Sequence, residues 1–159
     1  MPRAKAPALD ACLPSDTTPT TALEIAAFLL GSTRHAYVVN DFDLFASYFD
    51  LPHKVATFEE ARVVATRDDL RAIFTELRAH MTLVGALDIK WRVVSARWVT
   101  DRRITYTFTW QYVLPGYALS DEVVGNFNAH YADAKWRIGD GNYATTIEPV
   151  ARAFKAAAS

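Results

Sequence analysis

At 159 residues the chain is long enough for one domain with a substantial core and short for two. Seventeen basic against eighteen acidic residues leave a formal charge of −1, with no basic block to serve as a nucleic-acid footprint. Apolar residues make up 51 % of the chain, yet none of the apolar runs reaches the length of a membrane span, so neither nucleic acid nor membrane is expected as a partner.

The single cysteine, Cys12, excludes an intrachain disulfide and a cysteine-based metal site, and fits a reducing cytoplasm. Residues 1–18 carry Pro2, Pro7 and Pro14 and read as a flexible extension without the apolar stretch of a secretory signal. A folded domain is expected over residues 19–150, followed by a tail at 151–159.

Thr21 and Glu24 have capping-box spacing and predict a helix to about Val38, with Leu23, Ala26, Leu30, Thr33 and Tyr37 along one stripe. Asp41 reads as the N-cap of a short helix through about Phe49, burying Phe42, Phe45 and Phe49, and Pro52 ends it. Residues 53–57 and 61–65 read as a hairpin of short strands. Thr66 then caps a third helix, with Asp68 and Asp69 in its first turn and Leu70, Ile73, Phe74, Leu77 and Met81 at helical spacing.

From Leu87 the apolar period changes to two, which predicts strands over 88–100, 102–114, 121–132 and 135–146. With a turn at Asp101-Arg102, Arg97 falls opposite Tyr106, Ser95 opposite Phe108 and Val93 opposite Trp110. The turns near Pro115–Ser120 and at Asp133-Ala134 then set Phe108 beside Phe127, Phe127 beside Asp140 and Gly125 beside Asn142. One face thereby gathers most of the large apolar side chains. The other gathers Thr105, Thr107, Thr109, Gln111, Asn126, Asn128 and His130, with Val94, Ala96 and Trp98 among them, which suits packing against a second copy of the chain. A single bulge would invert everything beyond it.

Asp140 is the first candidate for chemistry. Among Phe127 and Phe108 its carboxylate loses solvation and suits a general acid or base, whereas Arg97 at hand would hold it ionised as a structural pair or ligand anchor. Its place in Gly139-Asp-Gly141 is also a turn or bulge signal. His53, at the start of the first strand, is the second candidate, because imidazole titrates near neutral pH. Tyr37, Tyr48, Trp91, Ser95, Arg97, Tyr106, Phe108, Trp110, Phe127 and Asn142 are the candidate lining of a pocket for a small apolar or aromatic ligand with one or two oxygens. No histidine–carboxylate pair has helical metal-ligand spacing and no phosphate-cradling glycine loop is present, so no metal or cofactor is expected.

The order helix, helix, short hairpin, helix and antiparallel meander, with Asn40-Asp-Phe-Asp43 running into Tyr48-Phe49 and Trp136-Arg137-Ile138 in the last strand, resembles the nuclear-transport-factor-2-like (cystatin-like) α+β superfamily and, within it, the SnoaL-like group. The resemblance implies a cone: three helices packed on a strongly curved, mixed, mainly antiparallel sheet, with a pocket at the open end and frequent dimers. Its members include ketosteroid isomerases, scytalone dehydratase, polyketide cyclases and limonene epoxide hydrolase. The isomerase base would be an Asp before the proline, where this chain has Leu51. Neither the dehydratase His–Asp pair nor the epoxide hydrolase Asp-Arg-Asp set is matched residue for residue. Three functions stay open: a ligand-binding domain, a lyase, isomerase or cyclase using Asp140 or His53 on a polyketide, terpenoid or aromatic substrate, and a non-catalytic dimeric interaction subunit.

Overall fold

A computed structural model of the chain describes residues 21–57 and 61–143. The expected extension at 1–18 and tail at 151–159 lie outside the described residues, as do both ends of the expected 19–150 domain.

The first helix, α1 (Ala22–Val38), begins at the expected cap. Glu24 N–H donates to the Thr21 hydroxyl at 3.0 Å and Thr21 N–H to the Glu24 carboxylate at 3.1 Å. Ala22, Ile25, Ala26, Leu29 and Ala36 are buried, while Leu30, Thr33 and Tyr37 turn toward an internal cavity. Leu23, expected on the buried stripe, is 55 % exposed, because the buried face is centred on Ile25 and Leu29. The second helix, α2 (Phe42–Ala46), is shorter than expected. Phe49 leaves the helix and forms a parallel bridge with Ile138. Strands β1 (His53–Ala56) and β2 (Ala61–Val64) form the predicted hairpin. Helix α3 (Arg67–Val84) starts at a capping box between Thr66 and Asp69 and ends at Gly85, whose φ of 74° is open to glycine without strain. Among the described residues, no helix is long and apolar enough to cross a membrane.

The long meander follows as β3 (Asp88–Thr100), β4 (Arg103–Val113), β5 (Val123–Ala132) and β6 (Lys135–Tyr143). One six-stranded sheet results, in the order β2-β1-β6-β5-β4-β3. Among the described strands only β1 and β6 pair in parallel, so the sheet is mixed and mainly antiparallel as expected. Helices cover one face and the architecture is α+β.

Three departures from the expected register matter. Between β3 and β4 the pairing slips twice, at Trp98/Thr100 and at Val93/Ser95. The first slip inverts the parity and the second restores it. Ala96 and Trp98 therefore turn inward opposite Tyr106 and Ile104, and Ser95 and Arg97 turn out and are exposed, the reverse of expectation. Between β4 and β5 the register differs by two residues, with Phe108 opposite Gly125 and Tyr106 opposite Phe127, which leaves the faces unchanged. Between β5 and β6 an extra residue enters at Gly139–Asp140, so that Phe127 pairs with Gly141. Beyond that bulge Gly141 and Tyr143 face inward, and Asp140 and Asn142 are exposed on the outer face. Each bulge adds a local bend and twist, which a sheet wrapped around a helix requires.

Two apolar clusters fill the interior. One joins the first half of α1 to Ile104, Tyr106, Phe108, Phe127, Ala129 and Ile138. The other joins Ala36, α2, the β1–β2 hairpin and α3 through Phe42, Phe45, Val55, Val64, Leu70 and Phe74. Tyr37 lies parallel to Phe74 with centroids 5.0 Å apart, an aromatic pair worth about 1 kcal/mol beyond its burial.

Candidate functional site

A cavity of about 130 Å³ opens between the helices and the concave face of the sheet. Its size is close to that of apolar protein cavities of roughly 150 Å³ that accept a benzene ring. Leu30, Thr33, Arg34 and Tyr37 reach it from α1, Leu70, Ile73, Leu77 and Met81 from α3, and Phe45 and Phe49 from α2 and the segment after it. The sheet supplies His53, Val55, Ile89, Trp91, Tyr106, Phe108, Trp110, Tyr112, Phe127, Ile138 and Tyr143.

Seven of the residues singled out in the sequence line this space: His53, Tyr37, Trp91, Tyr106, Phe108, Trp110 and Phe127. Five do not. Ser95, Arg97, Asp140 and Asn142 are carried to the outer face by the bulges. The Asp140 carboxylate there accepts the Lys54 N–H at 3.2 Å. Tyr48 packs edge-on against Phe28 and lies under the Lys135 ammonium, 4.6 Å from its ring centroid, away from the cavity. The expected contact of Asp140 with Arg97 is therefore not made.

His53 is 4 % exposed. Its Nδ1 bonds the carbonyl of Gly139, at the bulge of β6. A carbonyl only accepts, so Nδ1 carries the proton and the neutral ring keeps its lone pair on Nε2. Phe49 and Phe127 flank the ring at 5.1 and 5.8 Å. Burial lowers its pKa, against the smaller raising effects of the Gly139 carbonyl and the Asp140 charge across the strand. Near neutral pH it is an uncharged base.

The tyrosines supply the opposite function. Burial raises the pKa of Tyr37, Tyr106 and Tyr143, and brings that of Tyr112 up to about 12. Tyr143 adds to the effect at both Tyr37 and Tyr106, which puts the three phenols in one neighbourhood. All four stay protonated and can donate. Tyr112 meets His80, whose Nδ1 is 3.4 Å from its hydroxyl.

At the mouth, Arg34 forms a two-point pair with Asp88: Nε donates to Oδ1 and Nη2 to Oδ2, both at 2.8 Å. Burial works against the Asp88 charge, but the Arg34 hydrogen bonds, the Ile89 N–H and the Arg34 charge together lower its pKa.

No protein-family profile matches the chain, and no curated protein matches it. Solved structures do. A domain of unknown function with a cystatin-like fold from Nostoc punctiforme shares 20 % identity over 86 % of this chain and 84 % of its own, with a TM-score of 0.61. A nuclear-transport-factor-2-like protein of unknown function from Shewanella oneidensis shares 12 % over 77 % of this chain and 98 % of its own, at 0.58. A ketosteroid isomerase-like protein from Erwinia carotovora atroseptica shares 8 % over 79 % and 97 %, at 0.55. The fold is nuclear-transport-factor-2-like.

Within that nuclear-transport-factor-2-like frame, sequence reasoning missed Arg34, Tyr112 and Tyr143. Tyr112 shares the parity of Phe108 and Trp110 on β4, so its inward direction is legible in the sequence. Arg34 lies three residues before Tyr37 and four after Leu30, so it borders the cavity stripe of α1. Tyr143 carried no signal, because the bulge ahead of it decides which way it faces. Among the described residues no group of three His, Cys, Asp or Glu side chains comes together to hold a metal.

Proposed function

We propose that the chain is a SnoaL-like small-molecule-binding domain whose ligand is a largely apolar, ring-containing compound with one or two oxygens. The carrying observation is the set of Tyr37, Tyr106 and Tyr143. These phenols line the cavity and stay protonated, so each can donate an O–H to a ligand oxygen. Native mass spectrometry of the purified protein, followed by denaturing analysis of what it carries, tests the reading. A retained small molecule, or a rise in melting temperature with single-ring probes, is the expected result; indifference to all such probes would overturn it.

A second reading adds chemistry at the same site. His53 is a neutral, buried base held by Gly139 O, in a cavity also lined by phenols that can polarise a carbonyl or hydroxyl. Proton transfer in a lyase, isomerase or cyclase reaction needs that pairing of base and donors. His53→Asn separates the two readings: turnover would fall by orders of magnitude while ligand binding persisted. The assembly in both is a homodimer through the outer sheet face, supported by exposed Val94 and Val124 at 51 % and 37 % among its polar residues. The lone cysteine supports a cytoplasmic setting for it.

A further inference from the structure

Three observations meet at the cavity mouth. First, the residues lining the cavity include no Asp and no Glu, and Arg34 is the one permanent cation among them. Second, Asp88 occupies only part of that cation. It takes one hydrogen from Nε and one from Nη2, so of five N–H donors three, including both on Nη1, have no partner among the described residues. The open edge has the planar two-donor geometry that fits a second carboxylate. Third, the Arg34 side chain is 35 % exposed although it lines the cavity, which places the guanidinium where the apolar space meets solvent. An anion held there need not surrender all its hydration.

We infer that the ligand of this cavity is a ring-containing carboxylic acid, bound with its ring among the aromatic side chains and its carboxylate on the open edge of Arg34. This deepens the binding reading and rests on it. Asp88 has a positive role in the arrangement. Its own charge is already balanced by Arg34 and by the Ile89 N–H at 2.7 Å, and its grip fixes the guanidinium plane so that the open fork is presented rather than swept through solvent. A lysine at this position would offer charge without the fork.

Binding of benzoate and phenylacetate, each compared with its primary amide, tests this by calorimetric titration of the full chain at neutral pH. The acid and amide share shape and ring and differ in charge. The expected result is that at least one acid binds about tenfold more tightly than its amide, the lower end for a charge-assisted pair at a half-exposed position. In Arg34→Gln the two should converge while amide binding is retained. Equal binding of acid and amide by the unaltered protein, or a preference for the amide, would overturn the carboxylate assignment and leave the cavity reading standing. Binding of neither compound at millimolar concentration would overturn both. The comparison on the unaltered protein decides the matter even if Arg34→Gln folds poorly.

Discussion

Phe127 lies directly over the missing side chain of Gly141. A Cβ built on Gly141 would stand 2.3 Å from Phe127 Cδ1 and 2.6 Å from Cγ and Cε1. The same relation recurs one strand over, where a Cβ on Gly125 would meet Phe108 Cζ at 2.6 Å. These glycines let two rings that line the cavity lie flat along the sheet.

Gly141→Ala is therefore expected to destabilise the protein by about 1–3 kcal/mol through overpacking against a buried ring. Gly139→Ala, whose Cβ would have its nearest neighbours at 3.7 Å, should stay within about 0.5 kcal/mol of the parent. Urea denaturation of the two variants checks the contrast; equal losses would show that the β6 bulge, rather than the Phe127 contact, sets the cost.

The Phe127–Gly141 contact also shows where the sequence stops being legible. The helix caps at Thr21 and Thr66 and the turn at Asp133-Ala134 depend on residues within a few positions of one another, and each is found where the residue pattern puts it. Five cavity residues, Trp91, Tyr106, Phe108, Trp110 and Phe127, follow from strand parity alone. The bulges do not, because a strand accepts an extra residue where curvature and a distant ring demand it. Asp140 and Tyr143 exchanged faces for that reason, and Arg97 and Ser95 left the interior when β3 bent to follow α1. Gly139 and Gly141 mark a bulge in the sequence without fixing which neighbour it turns out.

A pH dependence follows from His53. Burial lowers its folded-state pKa below the ordinary 6.5, so the unfolded chain takes up a proton that the folded protein refuses. The contribution is full above about pH 6.5 and is lost as the pH falls toward the folded value. His53→Asn retains an N–H for the Gly139 carbonyl and cannot titrate. Its melting temperature should depend less steeply on pH than that of the parent between about pH 5 and 7. Parallel curves would remove His53 as the source.

The buried phenols act at the other end of the scale with the opposite sense. Their raised pKa values mean that the unfolded chain loses protons first, so stability falls as the pH rises past about 10. Tyr106→Phe should lose less stability across that range than the parent. Phenolate absorbance followed alongside circular dichroism checks the origin: the signal from these side chains should appear only with unfolding.

Val124→Arg places a charge on the outer face, opposite Thr109 in the β4–β5 pairing and away from the cavity. It should convert a dimer to a monomer in light scattering while leaving ligand binding intact. A parent protein that is monomeric at high concentration would exclude the outer-face dimer.

The parallel pairing of β1 with β6 has a consequence for how the chain acquires its shape. His53 meets Gly139 across a separation of 86 residues, and Val55 and Ala56 find their partners in Gly141 and Asn142. On a ribosome, α1, α2 and the first hairpin emerge well before the strand that completes their wall. The helices and the β3–β5 meander can assemble from nearer contacts, but the cavity closes only after β6 is free, and closing the long loop carries most of the entropic cost. Until then an aromatic-rich concave surface is open to solvent. The interval between synthesis of β1 and release of β6 is when the nascent chain is most exposed to aggregation.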